Sequence, residues 1–189
     1  MLLTAVVVTK GDRDISEVLA SLSGFDELIV WDNSKAPKDV KVFGRFACAM
    51  LARNNDIYIQ DDDSIVAWND LKYLYESYTH IPDLCVCNFP IHRRSEYAGS
   101  NIALLGWGTI FRKQLLRVFN PYLLRYGVDE LFYRECDRIF SFMCHDFTRF
   151  VDVGVNQLDY AFGKDRMGTE ERHGADLKEI KRRLNLLKQ

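Results

Sequence analysis

The sequence predicts a single α/β domain with a mostly parallel central sheet flanked by helices on both faces. Three observations carry that expectation. Short β-branched apolar runs alternate with amphipathic segments through the first half of the chain, the pattern of βα units joined by right-handed crossovers. The first run, Leu3–Thr9, is apolar throughout, which suits a central strand covered on both faces. The 189 residues suffice for one sizeable core and are too few for two.

The elements follow in order. Leu3–Thr9 ends in the turn signal Lys10-Gly11-Asp12. Asp14–Leu22 is a short helix with Ile15, Val18, Leu19 and Leu22 on one face, stopped by Ser23-Gly24. Glu27–Trp31 is a strand with the polar exit Asp32-Asn33-Ser34, and Val40–Phe43 reads as a short third strand. Arg45–Arg53 is helical, and Asp56–Gln60 is a strand that runs straight into Asp61-Asp62-Asp63. Val66–Tyr78 is an aromatic-rich helix and Leu84–Asn88 a strand. His92–Asn101 is a basic loop. Ala103–Leu105, Gly106-Trp107-Gly108-Thr109 and Ile110–Arg112 read as strand, glycine-rich turn and strand. Lys113–Tyr126 is helical with a break near Asn120-Pro121, Arg134–Cys144 is a helix, and Arg149–Val153 is a late strand. Asn156–His173 is polar and glycine-bearing, and Asp176–Leu187 closes the chain as a basic amphipathic helix. The organisation is thus one domain in three parts: a first half over 1–65, a second over 66–155, and a loop with a closing helix over 156–189.

Composition excludes several classes. A hydrophobic fraction of 48% and an aromatic fraction of 13% exclude disordered and fibrous chains. A formal net charge of −2 provides no global field for nucleic acid. Five cysteines, an odd number set mostly in apolar runs, read as reduced buried thiols. Cys85 and Cys87 should share one strand face and lack a zinc spacing. Neither a signal-peptide pattern nor an apolar run of about 20 residues is visible, so the expectation is a soluble, cytoplasmic protein.

The informative clusters lie at strand ends. In parallel α/β sheets, ligands bind beyond the carboxyl ends of the strands. Thr9-Lys10-Gly11-Asp12, Asp32-Asn33-Ser34 and Asp61-Asp62-Asp63 should therefore converge on one crevice. The triplet is the sharpest signal. Adjacent carboxylates repel by roughly 1 kcal/mol per close pair even in a water-like dielectric. A hard divalent cation, Mn2+ or Mg2+, would relieve that repulsion and bridge to phosphate oxygens. The plain alternative is a solvated acidic turn.

Thr9, Asp32-Asn33, Arg45, the strand Asp56–Gln60 and Asp61-Asp62-Asp63 together resemble the nucleotide-binding half of GT-A-fold glycosyltransferases with their DxD motif. Family-2-type and exostosin-type enzymes are the nearest patterns, and weaker likeness continues through Gly106–Thr109 and Glu135-x-Asp137. The resemblance implies a nucleotide-sugar donor, UDP-linked as first choice, with residues 1–65 as the nucleotide half and 66–155 as the acceptor and catalytic half. It places Thr9 and Gly11 along the nucleotide, Asp32 and Asn33 at base or ribose, and Arg45 and Arg53 at base or phosphate. Asp61 would meet the ribose or the metal shell, Asp62 the sugar, and Asp63 the metal directly. Trp107 and Gly108 would wall the sugar, unless Trp107 is a core aromatic. Asp137, with Glu135 in reserve, would serve as the base of an inverting transfer. The two stand about 200° apart on a helix, so only one can face a given site. Lys164, Arg166 and Arg172 would contact the diphosphate, and His173 would complete the metal shell.

The acceptor stays open among a glycan, a protein, a small molecule and a hydroxylated DNA base. Basic residues at Arg93-Arg94, Arg112-Lys113, Arg117 and Lys181-Arg182-Arg183 are what would track DNA phosphates. A nucleotidyltransferase and a non-catalytic nucleotide-sugar-binding module are the competing readings. Small size and the missing anchor fit a bacterial or phage enzyme.

Overall fold

The computed structural model describes residues 2–80, 85–89, 105–158 and 166–187, with backbone only for 166–173. Its centre is a six-stranded sheet in the order β2-β1-β3-β6-β5-β7. The strands are β1 (Thr4–Thr9), β2 (Glu27–Asp32), β3 (Asp56–Asp61), β5 (Cys85–Asn88), β6 (Trp107–Arg112) and β7 (Thr148–Val151). β1 pairs in parallel with β2 and β3, and β5 with β7; only β6 runs against its neighbours. The mostly parallel sheet is therefore as the sequence predicts, and it crosses the expected boundary at residue 65 because β6 lies against β3. A ribbon of β4 (Ser64–Val66) and β8 (Val155–Gln157) flanks it.

Helices cover both faces. The chain has α1 (Ser16–Ser21), α2 (Gly44–Leu51), α3 (Trp68–Thr79), α4 (Asn120–Tyr126), α5 (Glu130–Cys144) and α6 (Arg166–Leu187). Strand alternation divides the core accordingly. Ala5, Val7, Tyr58, Val86 and Ile110 pack with Val18 of α1 and Leu71 and Leu74 of α3. Val6, Ile57, Ile59, Cys85, Cys87 and Phe111 pack with α2, α5 and α6 through Phe46, Phe140 and Ile180. β1 is buried at every residue, which is why its sequence carries no polar alternation. Cys85 and Cys87 share one face as expected, and all five cysteines are buried thiols.

Four local expectations change. Val40–Phe43 is no strand: Lys41–Phe43 forms a 3₁₀ turn, entered through Lys41 at φ 53°. The Gly106–Thr109 segment is no open turn either. Trp107 pairs with Gln60 and Thr109 with Ile59, and the register shifts between Ile59 and Gln60, with Gly108 at φ 101°. Gly108 thus serves a β-bulge, for which a positive φ favours glycine. α5 starts at Glu130, capped by Asp129 whose carboxylate accepts from the Phe132 N–H, so Arg134–Arg138 lies past its first turn. The last helix begins at Arg166, ten residues before Asp176. The basic loop His92–Asn101 lies outside the described residues.

Candidate active site

Strand register brings the three polar clusters together. Thr9 lies beside Asp32 on one side, and Val8 beside Asp61 on the other, all at the carboxyl end of the sheet. A pocket of about 590 Å³ opens there. Val8 and Thr9 end β1 and Lys10 follows it, Asn33, Ser34, Asp39, Lys41 and Val42 follow β2, and Asp61 ends β3, with Asp62 and Asp63 after it. Arg45 from α2 and Asp137 from α5 form its floor.

Each acid of the triplet is held differently. Asp61 is pinned from two sides: its N–H donates to the Gly106 carbonyl at 2.7 Å, and its carboxylate accepts from Arg45 Nη2 at 2.6 Å. Gly106 is required here, because a Cβ would come within 1.8 Å of Asp61 Oδ2. Asp62 lies near Thr9, whose hydroxyl lowers its pKa, and faces Arg13 at 3.8 Å. Asp63 accepts from Ser64 Oγ at 3.1 Å, and its carbonyl accepts from the Leu158 N–H, tying the acid to the β4–β8 ribbon. Burial raises the pKa of Asp62 and Asp63, and the Asp61 charge adds to the rise in both. Positive charge in the pocket would favour the ionised form of each.

The floor is a buried charge chain. Arg45 is only 3% exposed and bridges Asp61 to Asp137, with Nη1 at 2.9 Å from Asp137 Oδ2. Burial works against the charged guanidinium, yet Asp137 and then Asp61 outweigh it, so its pKa is raised. The contact to Asp137 is a close ion pair without hydrogen-bond geometry. Arg45 Nε and Nη1 and Asp137 Oδ1 are buried and make no hydrogen bond with the described residues. Burial pushes the Asp137 carboxyl up to about 7; Arg45 lowers it, while Asp61 and Glu135 raise it. The side chain nonetheless remains 24% exposed on the pocket side. It is a carboxyl able to exchange a proton near neutral pH.

The structure thus gathers Thr9, Asn33, Arg45, Asp61, Asp62, Asp63 and Asp137 at one pocket. Other sequence expectations move. Arg53 sits at the opposite end of the sheet, 69% exposed and paired with Glu27 at the start of β2 at 3.1 Å. Glu135 points away from Asp137, buried and paired with Arg138 at 3.0 Å. Trp107 is 8% exposed within β6, and Gly108 packs against Val66, Tyr58 and Leu74 below the sheet, so neither walls the pocket. Asp32 is occupied locally. Its carboxylate accepts from Ser34 N and Oγ and pairs with Lys35, which with Ser34 pulls it down to about 2. Gly11 lies against it at φ 77°, where a Cβ would reach 2.4 Å from Asp32 Oδ1. Lys164 lies outside the described residues. Arg166, Arg172 and His173 fall within the backbone of α6, so His173 belongs to a helix and not to the loop the sequence suggested.

Lys10 lies in the crevice to which the sequence assigned its cluster, without a role of its own; sequence reasoning missed Asp39 and Lys41 at the pocket and Arg13 beside Asp62. The turn signal at Lys10-Gly11-Asp12 could have pointed to Arg13. Nothing in the sequence marked Asp39 or Lys41.

A DNA acceptor finds no support. Arg112 pairs with Asp56, Lys113 Nζ donates to the Ala52 carbonyl, and Arg117 Nε donates to the Gln114 carbonyl. Arg182 and Arg183 pair with Glu179. Arg93 and Arg94 lie outside the described residues. No helix among the described residues is long and apolar enough to cross a membrane.

The sheet order with its one antiparallel strand is that of a GT-A-type glycosyltransferase fold, which solved structures share. No family model matches the sequence, and no curated protein does. Solved structures do match. One is glucosyl-3-phosphoglycerate synthase from Mycobacterium tuberculosis in complex with Mn2+ and UDP-glucose, at TM-score 0.60 and 15% identity, covering 95% of this chain and 78% of that one. Another is TarS residues 1–349 from S. aureus, at TM-score 0.56 and 13% identity, covering 80% of this chain and 58% of that one. A third is A197 from STIV, at TM-score 0.51 and 11% identity, covering 84% and 86%.

Proposed function

We propose that this chain is a metal-dependent glycosyltransferase that moves a sugar from a nucleotide sugar, a UDP-sugar first, to a hydroxyl acceptor. One observation carries the reading: the acidic triplet, Thr9 and the Arg45–Asp137 pair meet in a single pocket at the carboxyl end of the sheet. The fold it shares with the synthase crystallised with Mn2+ and UDP-glucose supports it.

The donor set fits Mn2+ or Mg2+. Five carboxylates, Asp39, Asp61, Asp62, Asp63 and Asp137, line the pocket against Lys10, Lys41 and Arg45, with Arg13 beside Asp62, so hard oxygen donors outnumber the cations. Among the described residues no three acidic, histidine or cysteine side chains form a ready cation cage. Asp63 and Asp61 would therefore hold the ion with phosphate oxygens and water completing its shell, as is usual for these cations at diphosphates. Bound there, the ion supplies positive charge against the departing nucleoside diphosphate.

The chain's own residues do the rest. Arg45 holds Asp61 and Asp137 at a fixed separation. Lys10, at the pocket mouth, offers a cation for the diphosphate. In an inverting transfer the acceptor oxygen bonds to the anomeric carbon as the bond to the diphosphate oxygen breaks. The hydroxyl proton passes to the Asp137 carboxylate, whose side chain is 24% exposed on the pocket side.

The test is nucleoside diphosphate release from UDP- and GDP-sugars with Mn2+. Metal-dependent binding with turnover supports the enzyme, binding without turnover on any acceptor supports a non-catalytic binding module, and nucleotide transfer in place of sugar transfer supports a nucleotidyltransferase. Asp63→Ala should abolish Mn2+-dependent donor binding. If that variant binds donor as tightly as the parent, the triplet is a solvated turn.

A further inference from the structure

The Asn33 side chain lies at the rim of the donor pocket, where a base-contacting amide would be expected. Its carboxamide is fully committed to the protein instead. Oδ1 accepts from Trp31 Nε1 at 3.0 Å and from the Val40 N–H at 3.1 Å. Nδ2 donates to the Thr9 carbonyl at 3.3 Å and to the Lys41 carbonyl at 3.2 Å. Both partners of the oxygen are N–H groups and both partners of the nitrogen are carbonyls. The opposite amide orientation would reverse the polarity of all four contacts, so the pattern admits one orientation.

What this amide holds is strained. Lys41 is the one described non-glycine residue with positive φ, at 53°. For a side chain with a Cβ that conformation is disfavoured and persists only where its surroundings enforce it. Asn33 grips both sides of the bend, at the Val40 N–H and the Lys41 carbonyl, and ties it to the end of β1 at Thr9. The residues so held, Asp39, Lys41 and Val42, line the pocket.

We propose that Asn33 is a positioning residue for the nucleotide and not a contact to it: it clasps residues 40–41 in the left-handed bend that forms one wall of the donor pocket. This rests on the nucleotide-sugar reading above. It moves direct contact with the base to the Asp39–Val42 wall, and it makes Asn33 matter equally for every base.

The test separates the clasp from the donor reading. Amide hydrogen exchange at Val40, measured without nucleotide, should accelerate about tenfold or more in Asn33→Ala, which loses the acceptor. Asn33→Asp, a shape-conserving second variant, keeps that acceptor but turns an oxygen toward two carbonyls, and it should also loosen the bend. UDP affinity with Mn2+ should fall about tenfold in Asn33→Ala, the loss of roughly one net hydrogen bond. The effect should appear in donor KM more than in kcat, and the ratio of UDP to CDP affinity should not change. Glycine at position 41 adopts the bend without strain. Asn33→Ala should therefore cost about threefold or less in a Lys41→Gly background and the full tenfold in Lys41→Ala. A changed UDP-to-CDP ratio, or no relief from glycine, would overturn the clasp in favour of a direct base contact. If the parent binds no UDP with Mn2+, the donor reading fails; accelerated exchange at Val40 then upholds the clasp, and unchanged exchange overturns it.

Discussion

Replacing Arg45 by methionine tests the charge chain at the pocket floor. The substitution keeps most of the side-chain volume and removes the one cation between Asp61 and Asp137. Breaking a buried ion pair from one side costs about 3–5 kcal/mol, because the remaining charge is left uncompensated. Here the remaining acids are 32% and 24% exposed, so water relieves part of the cost and about 3 kcal/mol is expected. At about 2–4 °C per kcal/mol for a domain of this size, Tm should fall by roughly 6–12 °C. Adding Asp137→Asn removes one uncompensated carboxylate, so the double variant should be more stable than Arg45→Met alone. Mn2+ should also raise Tm more in Arg45→Met than in the parent, since the cation replaces the missing charge beside Asp61. Urea and thermal unfolding of the four proteins of the cycle at pH 7.5, with and without Mn2+, read these quantities. A loss below about 1 kcal/mol, or strictly additive single variants, would refute the view that Arg45 compensates both acids at once.

Other outcomes follow from the same geometry. Gly106→Ala places a Cβ against the Asp61 carboxylate and should cost about 1–3 kcal/mol, with weakened Mn2+-dependent UDP binding by calorimetry. Asp137 has a folded pKa of about 7, above its value of 3.8 when unperturbed, so the folded state holds its proton more tightly. Its contribution to stability is then complete below about pH 4 and is lost as pH rises through 7, by about 4 kcal/mol at most. Asp137→Asn should flatten that part of the stability profile in urea titrations between pH 4 and 8. If Asp137 receives the acceptor's proton, the rate should rise with pH through about 7, and a flat profile would count against the base role. Arg53→Ala, at the far end of the sheet, should leave donor KM unchanged within about twofold and cost at most about 1 kcal/mol of stability.

The parts legible from sequence are those set by local pattern. β1 to β3 appear as apolar runs, and their polar ends converge because parallel strands in register end together. The parts that were not legible depend on tertiary context. Val40–Phe43 has strand-like composition, but the Asn33 clasp bends it at Lys41 into a 3₁₀ turn. The glycines around Trp107 look like a turn from either side, yet only Gly106 serves a close approach to Asp61, and Gly108 serves a bulge inside β6. Arg53 resembles Arg45 in sequence. It comes after α2 has ended, where the chain has returned to the amino end of the sheet.

The most consequential relation lies between residues that the sequence presents as independent. The triplet reads as a metal site and Asp137 as a base, in different halves of the chain. A buried guanidinium joins them, so the charge state of one bears on the other. Positive charge added beside Asp61 draws that carboxylate away from Arg45 and leaves the guanidinium freer to stabilise ionised Asp137. Such coupling would link a donor-loaded site to a base ready to accept a proton. Arg45 is their shared ion-pair partner among the described residues and relays the effect, in addition to the direct action of the Asp61 charge on Asp137. Arg45→Met should therefore make the apparent pKa of Asp137 less sensitive to Mn2+, measurable by NMR of the labelled carboxyl with and without the ion. An equal Mn2+ response in parent and variant would mean that Arg45 relays nothing and that any coupling acts directly between the two acids.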